Sequence, residues 1–353
     1  MDSLLPSPLP ADGPNRDRTG VLLVNLGTPD TTDYWSVRRY LKEFLSDPRV
    51  VDLPRVLWWP ILNLVILSVR PQVSGRAYDM IWDRETNASP LRIITEAQTT
   101  KLSMRLGDDT PVYFAMRYGR PAIGDVLDDM VADGCGRIVL LPLYPQYAGA
   151  TVGSVVDEVG RWLQRTRWQP SIDIVPPYYA EPRYIKMLKD SVEAVVDTLD
   201  WVPDCIVASF HSLPERYCRE GDPYYAQSLA TARLLAEALD SPFITDPTHL
   251  PRRQGKAVPL LPTFQSRFGR EEWLKPYTAA VLDALPRMGC RKVAVICPGF
   301  AADCVETLEE ISIRGRETFM DAGGESYAII PCMNDGKDGI ALMDALLRPY
   351  LRR

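Results

Sequence analysis

Phe114 to Arg120 reads FAMRYGR, and 150 residues later Phe264 to Arg270 reads FQSRFGR. A helix-length segment follows each copy. Then comes Gly134-Cys135-Gly136-Arg137 with IVLLP, matched at an offset of 154 or 155 by Gly289-Cys290-Arg291-Lys292 with VAVICP. Upstream, VLLVNLGTP (Val21 to Pro29) parallels CIVASFHSLP (Cys205 to Pro214). Three matches in one order point to a duplication, and so to two similarly folded halves. A chain of 353 residues has room for about two domains.

The runs that open these matches are strand-like. They include GVLLVNLG from Gly20, PVYFAMRYG from Pro111, RIVLLPLYPQY from Arg137, SIDIVPPYY from Ser171 and SYAIIPCM from Ser326. They are continuous and β-branched rather than alternating, as strands of a parallel sheet are when helices cover both faces. The expected fold is α/β, with two similar doubly wound, Rossmann-like domains of parallel sheet facing each other across a cleft. The expected organisation is a disordered tail over 1–19, an N-terminal domain over 20–180 and a C-terminal domain over 181–334. A closing helix over 335–353 would pack back on the first domain.

Composition narrows the function. An apolar fraction of 46% and a charged fraction of 24% are those of a globular protein. The net charge is −6 and no basic patch stands out, which argues against a nucleic-acid surface. The first residues carry Asp2, Asp12 and Asp17 and lack a secretory h-region, so a cytoplasmic protein is expected. The seven cysteines are odd in number and none shows CxxC spacing, so buried reduced thiols are expected rather than disulfides or zinc.

Val56 to Val69, VLWWPILNLVILSV, is too short to span a membrane, which takes about 20 apolar residues. It is either a buried core helix or an exposed apolar lip for a greasy ligand or a membrane surface.

Facing doubly wound halves place their chemistry in the loops at strand exits. His211, one of two histidines, sits at such an exit between Ser209 and Ser212. Imidazole can accept a proton or bind a metal near neutral pH. No GxSxG elbow accompanies it, which argues against a Ser-His nucleophile. Asp303, Glu306 and Glu310 in DCVETLEE would share one face of a helix opening into the cleft. Carboxylates with an imidazole suit a divalent cation such as Fe²⁺ that must be held and released. Arg117, Tyr118, Tyr144, Tyr147, Phe268 and Trp273 occupy the other loops. Neither GxGxxG nor GxxxxGK[ST] follows the first strand, so nucleotide binding is not expected.

In order, VLLVNLGTPD, FAMRYGRP, LPLYPQYAGATVGS, SFHSLP, TFQSRFGREEWLKP and DCVETLEE resemble the ferrochelatases, which insert Fe²⁺ into a porphyrin in haem synthesis. The resemblance runs from about Val21 to the C-terminal helix. It implies that His211 and Glu306 stand on opposite walls of a porphyrin cleft as catalytic and metal-binding groups. Asp303 and Glu310 would guide the hydrated cation inward. Arg117 and Tyr118 match a porphyrin-contacting pair, and Tyr144, Tyr147, Ser212 and Trp273 are further substrate-binding candidates. The family's apolar lip, which can rest on a membrane, coincides with 56–69. Two departures stand out. Some members carry a histidine where this chain has Cys304, and some hold a [2Fe–2S] cluster through cysteines that are missing here. No cluster and no permanently bound cofactor are expected. Partners would be porphyrin and ferrous iron, and the protein a monomer, possible membrane contact aside. Protoporphyrin and coproporphyrin both remain open as substrate, as does the division of labour at His211 between taking protons and holding iron. A chelatase for a more carboxylated tetrapyrrole, such as sirohydrochlorin, would need more Arg and Lys in the cleft. A porphyrin carrier would have no use for Glu306.

Overall fold

A computed structural model describes residues 17–250, 257–269 and 271–351. The first sheet contains β1 (Arg18–Thr28), β2 (Val112–Gly119), β3 (Cys135–Pro142) and β4 (Ser171–Ile174), in the order β2-β1-β3-β4. The second contains β5 (Cys205–His211), β6 (Leu260–Gln265), β7 (Lys292–Ile296) and β8 (Ser326–Ile330), in the order β6-β5-β7-β8. Adding four to each strand of the first order gives the second, so the duplication read from the motifs holds at the level of topology. Every strand pairing within the two sheets is parallel. In each half the chain crosses from one side of the central strand to the other, which leaves a crevice at the carboxyl ends.

Both faces of the sheets are covered. In β1, Leu22 and Val24 pack with Leu127 and Val155, while Val21 and Leu23 pack with Leu102 and Leu143. This is why apolar residues run on without alternation. The second of these cores is shared: it continues into Ile206, Ala208 and Phe210 of β5 and takes in Met343 and Leu347 of the C-terminal helix Lys337–Leu351. That helix reaches the first half, where Arg105 Nε donates to Asp344 at 2.9 Å. The halves are therefore fused by packing.

Two boundaries differ from the sequence reading. Residues 1–16 of the expected tail lie outside the described residues, and Arg18 and Thr19 already belong to β1. Thr19 pairs with Arg137, so the neighbouring strand extends order to the very start of the run. More consequentially, β2 runs on through Gly119 while β6 stops at Gln265. Arg117 and Tyr118, expected in a loop, are held within the sheet. Their counterparts Arg267 and Phe268 lie beyond it.

The 56–69 segment forms an exposed lip. It belongs to a 27-residue helix, Arg55–Ile81, which by length and composition is long and apolar enough to cross a membrane, yet only 22% of its most apolar window is buried. Trp58, Leu62 and Leu67 pack inward, and Trp58 Nε1 donates to Leu45 O at 2.7 Å. Val56, Trp59 and Leu64 point outward with 86%, 64% and 73% of their surface exposed. The Leu347→Ala substitution empties a fully buried position at the seam between the halves. It is expected to lower the unfolding free energy by about 2–5 kcal/mol in urea titration.

Candidate active site

A cavity of about 370 Å³ opens between the carboxyl ends of the two sheets. This is a usual size for a small-molecule site, in the usual place. A larger groove, about 720 Å³, lies between helices Pro182–Val196 and Lys337–Leu351. Most of its charges pair among themselves, Lys186 with Asp190 and both Arg105 and Arg348 with Asp344. It sits away from the strand ends, so the cleft is the better site.

His211 closes β5, opposite Gln265 of β6, and lines the cleft half-buried. Its Nδ1 lies 2.6 Å from the carbonyl of Ser212. A carbonyl only accepts, so this nitrogen carries a proton, and in the neutral imidazole Nε2 holds the lone pair. Ser212 is itself fixed: its N–H donates to Gln265 O at 2.7 Å and its hydroxyl to Leu274 O at 3.1 Å. Fully buried, Ser212 orients the histidine rather than touching a ligand.

Glu306 lines the same cavity at the start of a π-helix, Glu306–Gly315. Such wide turns recur at functional sites. Gln265 Nε2 donates to the Glu306 carbonyl at 2.8 Å, tying the wall to β6. Cys304 lines the cavity beside the Glu306 carboxylate. Burial, and then that carboxylate, push the thiol well above its usual range. Without a metal beside it, Cys304 is thus a neutral thiol. Behind Glu306 the buried phenols of Tyr40 and Tyr78 meet edge to face at 6.3 Å. Burial raises both far above the ordinary tyrosine value, with the charge of Glu306 adding to the effect.

The other acids do not join this wall. Asp303 precedes the helix, and its carboxylate accepts from Thr307 at 2.8 Å and Asn334 at 2.7 Å. It caps a turn. Glu310 accepts from the Ser266 N–H at 2.9 Å and from its hydroxyl, within a neighbouring cavity of about 330 Å³. The shared face expected from α-helical spacing is lost because the helix starts later and is wound wider.

Tyr144 and Trp273 line the cleft, and neither Tyr144 Oη nor Trp273 Nε1 has a hydrogen-bond partner among the described residues. Tyr147 packs instead with Val152 and Tyr144 in the first domain's core. Arg117 and Tyr118 do not reach the cleft. The Asp47 carboxylate collects the Arg117 guanidinium, Tyr118 Oη at 2.9 Å, Ser154 Oγ at 2.6 Å and the Arg49 N–H at 2.8 Å. Burial alone would raise the Asp47 carboxyl, but these hydrogen bonds and the Arg117 charge hold it below the ordinary value. The network anchors the end of helix Tyr34–Leu45, from which the lip springs, to β2 and to helix Ser154–Arg165.

Sequence reasoning passed over Arg70, the one arginine or lysine in the cleft wall among the described residues. Its guanidinium lies 4.9 Å from the Phe268 ring centroid, joining the lip helix to the loop after β6. The signal was there: Arg70 is the first charge after the apolar run. Leu41, Phe44 and Leu45 also line the wall, at the i, i+3, i+4 spacing of a helical face. Among the described residues, no three His, Cys, Asp or Glu side chains converge closely enough to hold a metal. The cleft offers one imidazole nitrogen and one carboxylate, fewer donors than a closed metal site takes.

The sequence model described as Ferrochelatase matches residues 18–351. The chain belongs to the ferrochelatase family. It is a porphyrin metal chelatase, a lyase that inserts iron in haem biosynthesis. It is 51% identical over 342 residues to a ferrochelatase of Rhodobacter capsulatus, covering 95% of this chain and 93% of that one. It is 49% identical over 333 residues to the ferrochelatase of Methylocella silvestris, covering 92% of each. Among solved structures it is similar to SirB from Bacillus subtilis with Fe³⁺, with a TM-score of 0.54, 12% identity, and coverage of 95% and 96%. A second SirB structure, a sirohydrochlorin chelatase with cobalt, gives 0.52 and 11% over 95% and 98%. At that identity the likeness concerns the fold, which is the two-sheet chelatase fold.

In this ferrochelatase Arg117 is a buried structural cation outside the cleft. Arg117→Leu is expected to cost about 3–5 kcal/mol in denaturant unfolding, while porphyrin affinity of the folded fraction stays within about twofold. Loss of porphyrin binding at unchanged stability would contradict this. The pH dependence follows from Asp47. Its depressed pKa adds stability that is present above the unfolded carboxyl value, about 3.9, and lost as pH falls through the folded value. Below about pH 4 the wild type should lose unfolding free energy faster than Asp47→Asn.

Proposed function

We propose that His211 and Glu306 carry out iron insertion together, with protoporphyrin as the substrate. The observation that carries the assignment is the pinned imidazole: its Nδ1–H is committed to Ser212, so the free Nε2 belongs to the same cavity as Glu306. Free porphyrin bears two pyrrole protons, and its lone pairs point inward, away from an approaching ion. A cleft that bends the ring tips those lone pairs outward, and binding energy from the rest of the macrocycle offsets the strain. His211 Nε2 accepts the pyrrole protons one at a time, and Glu306 receives them and relays them onward. Both protons leave as Fe²⁺ takes the four nitrogens. His211 and Glu306 also contact the cation on its way in.

Substrate choice follows from charge. With Arg70 as the one basic side chain in the wall among the described residues, the cleft suits the two carboxylates of protoporphyrin. The four of coproporphyrin, or the still greater number on sirohydrochlorin, would go less well compensated. Neither a permanent cofactor nor an iron–sulfur cluster is part of this proposal. The loop after Tyr147 has no cysteine, while Cys135, Cys205 and Cys290 lie in the domain cores. The protein works as a monomer in the cytoplasm, resting on a membrane through 56–69. All seven cysteines are unpaired, as in a reducing compartment. Outside the lip, exposed apolar side chains such as Met104, Val202 and Met288 are scattered over separate elements, leaving no dimer face among the described residues.

Anaerobic absorbance assays with Fe²⁺, or Zn²⁺ in air, test the core of this reading. His211→Ala is expected to lower insertion by at least about 10²-fold while porphyrin still quenches tryptophan fluorescence. Near-normal turnover would overturn the assignment. For the lip, Trp59→Ser should weaken co-sedimentation with phospholipid vesicles by about tenfold and leave turnover in detergent unchanged.

A further inference from the structure

We propose that Asn334 is a positioning residue for Glu306, and that Gln98 sets it from the other half of the molecule. The proposal rests on the metal-insertion reading above. It concerns how the carboxylate wall is held, not a further group that touches substrate.

Asn334 follows β8 with φ of 45°, left-handed backbone that asparagine adopts more readily than most residues. Its side chain meets Asp303 twice. Oδ1 accepts from the Asp303 N–H at 2.8 Å, and Nδ2 donates to the Asp303 carboxylate at 2.7 Å. A backbone N–H only donates, so the sense of the amide is fixed. Asp303 passes the restraint on. Its other carboxylate oxygen accepts from Thr307 Oγ1 at 2.8 Å, and Thr307 Oγ1 accepts from the Cys304 N–H at 3.1 Å. These bonds close the turn 303–307, and Glu306 lies inside it. The Glu306 carbonyl is taken by Gln265 Nε2. The backbone that carries the carboxylate is thus held from two sides, by Asn334 through Asp303 and by Gln265.

Gln98 supplies the register between the halves. It lies on helix Pro90–Leu106 of the first half and is fully buried. Its Nε2 donates to Asn334 O at 2.8 Å and to Ala301 O at 3.1 Å. Three residues on, and so on the same helix face, Lys101 Nζ donates to Asp335 O at 2.9 Å. One face of a first-half helix therefore grips the second half at Ala301, Asn334 and Asp335. Ala301 and Glu306 line the cleft, whereas Gln98, Asp303 and Asn334 are not among its lining residues. A ring bound between two halves meets both walls at once, and a misplacement of about 1 Å in a reacting group can cost about 10²-fold in rate.

The test exchanges donor for acceptor. Asn334→Asp sets two carboxylates against each other. Its kcat for Zn²⁺ insertion, per site that binds porphyrin, is expected to fall at least about tenfold, while the porphyrin Kd from fluorescence quenching stays within about twofold. Adding Asp303→Asn restores every pairing with the roles reversed: the amide at 303 donates to the carboxylate at 334, and its oxygen still accepts from Thr307. The double variant is expected to recover kcat to within about threefold of the wild type. An unchanged kcat in Asn334→Asp makes the network merely structural and overturns the proposal. So does a double variant that regains the urea midpoint but not kcat, because the Asp303 charge itself would then be what the reaction needs. Should Asn334→Asp lose cooperative unfolding, Asn334→Gly carries the test. It keeps the left-handed turn and removes the amide, so the same fall in kcat is expected, and wild-type kcat overturns the proposal. The wild type runs alongside: if it metallates no porphyrin, the reading of the cleft itself falls. If it metallates and the Asn334 variants match it, the inference about Asn334 falls alone.

Discussion

One hydrogen bond decides what the cleft can do, that between His211 Nδ1 and the Ser212 carbonyl at 2.6 Å. In the neutral imidazole it selects one tautomer and leaves Nε2 as the single basic nitrogen. The bond depends in turn on Ser212, which β6 and the following loop hold through Gln265 and Leu274. Gln265 also reaches across to the carbonyl of Glu306. One short piece of β6 thus positions both walls. Two parallel sheets with a shared core bring these strand ends together, and the cleft follows from the duplication.

The lip poses the opposite physical problem, since it must stay attached while leaving large apolar side chains in water. Its root is anchored by the Asp47 cluster, where burying a carboxylate and a guanidinium costs several kcal/mol per ion and is offset by their mutual attraction and by added hydrogen bonds. Four donors converge on Asp47, which is the condition for such a pair to hold. Removing one partner would leave a buried charge uncompensated. A polar anchor also leaves the lip's outer face free for an apolar ligand or surface.

Much of this was legible in the chain. The repeats predicted two like halves, and the strand orders agree. The exposed-lip alternative for 56–69 is the one found. Family resemblance singled out His211 and Glu306, and both line one cavity. The misreadings share a cause. FAMRYGR and FQSRFGR look alike, but β2 continues past Arg117 and β6 stops before Arg267, and strand length is set by neighbours that one sequence does not display. Asp303 and Glu310 were placed by a 3.6-residue period, whereas the segment is a π-helix.

The most direct measurement is nitrogen-15 NMR of labelled histidine. The second histidine, His249, is exposed and bonded to Asp246, so His249→Asn leaves His211 as the single signal. The expected result is an Nδ1–H tautomer at neutral pH, with a bare Nε2 whose resonance moves when Zn²⁺ is added. An Nε2–H tautomer, or an Nε2 resonance indifferent to metal, would contradict the pinned imidazole and the chemistry assigned to it.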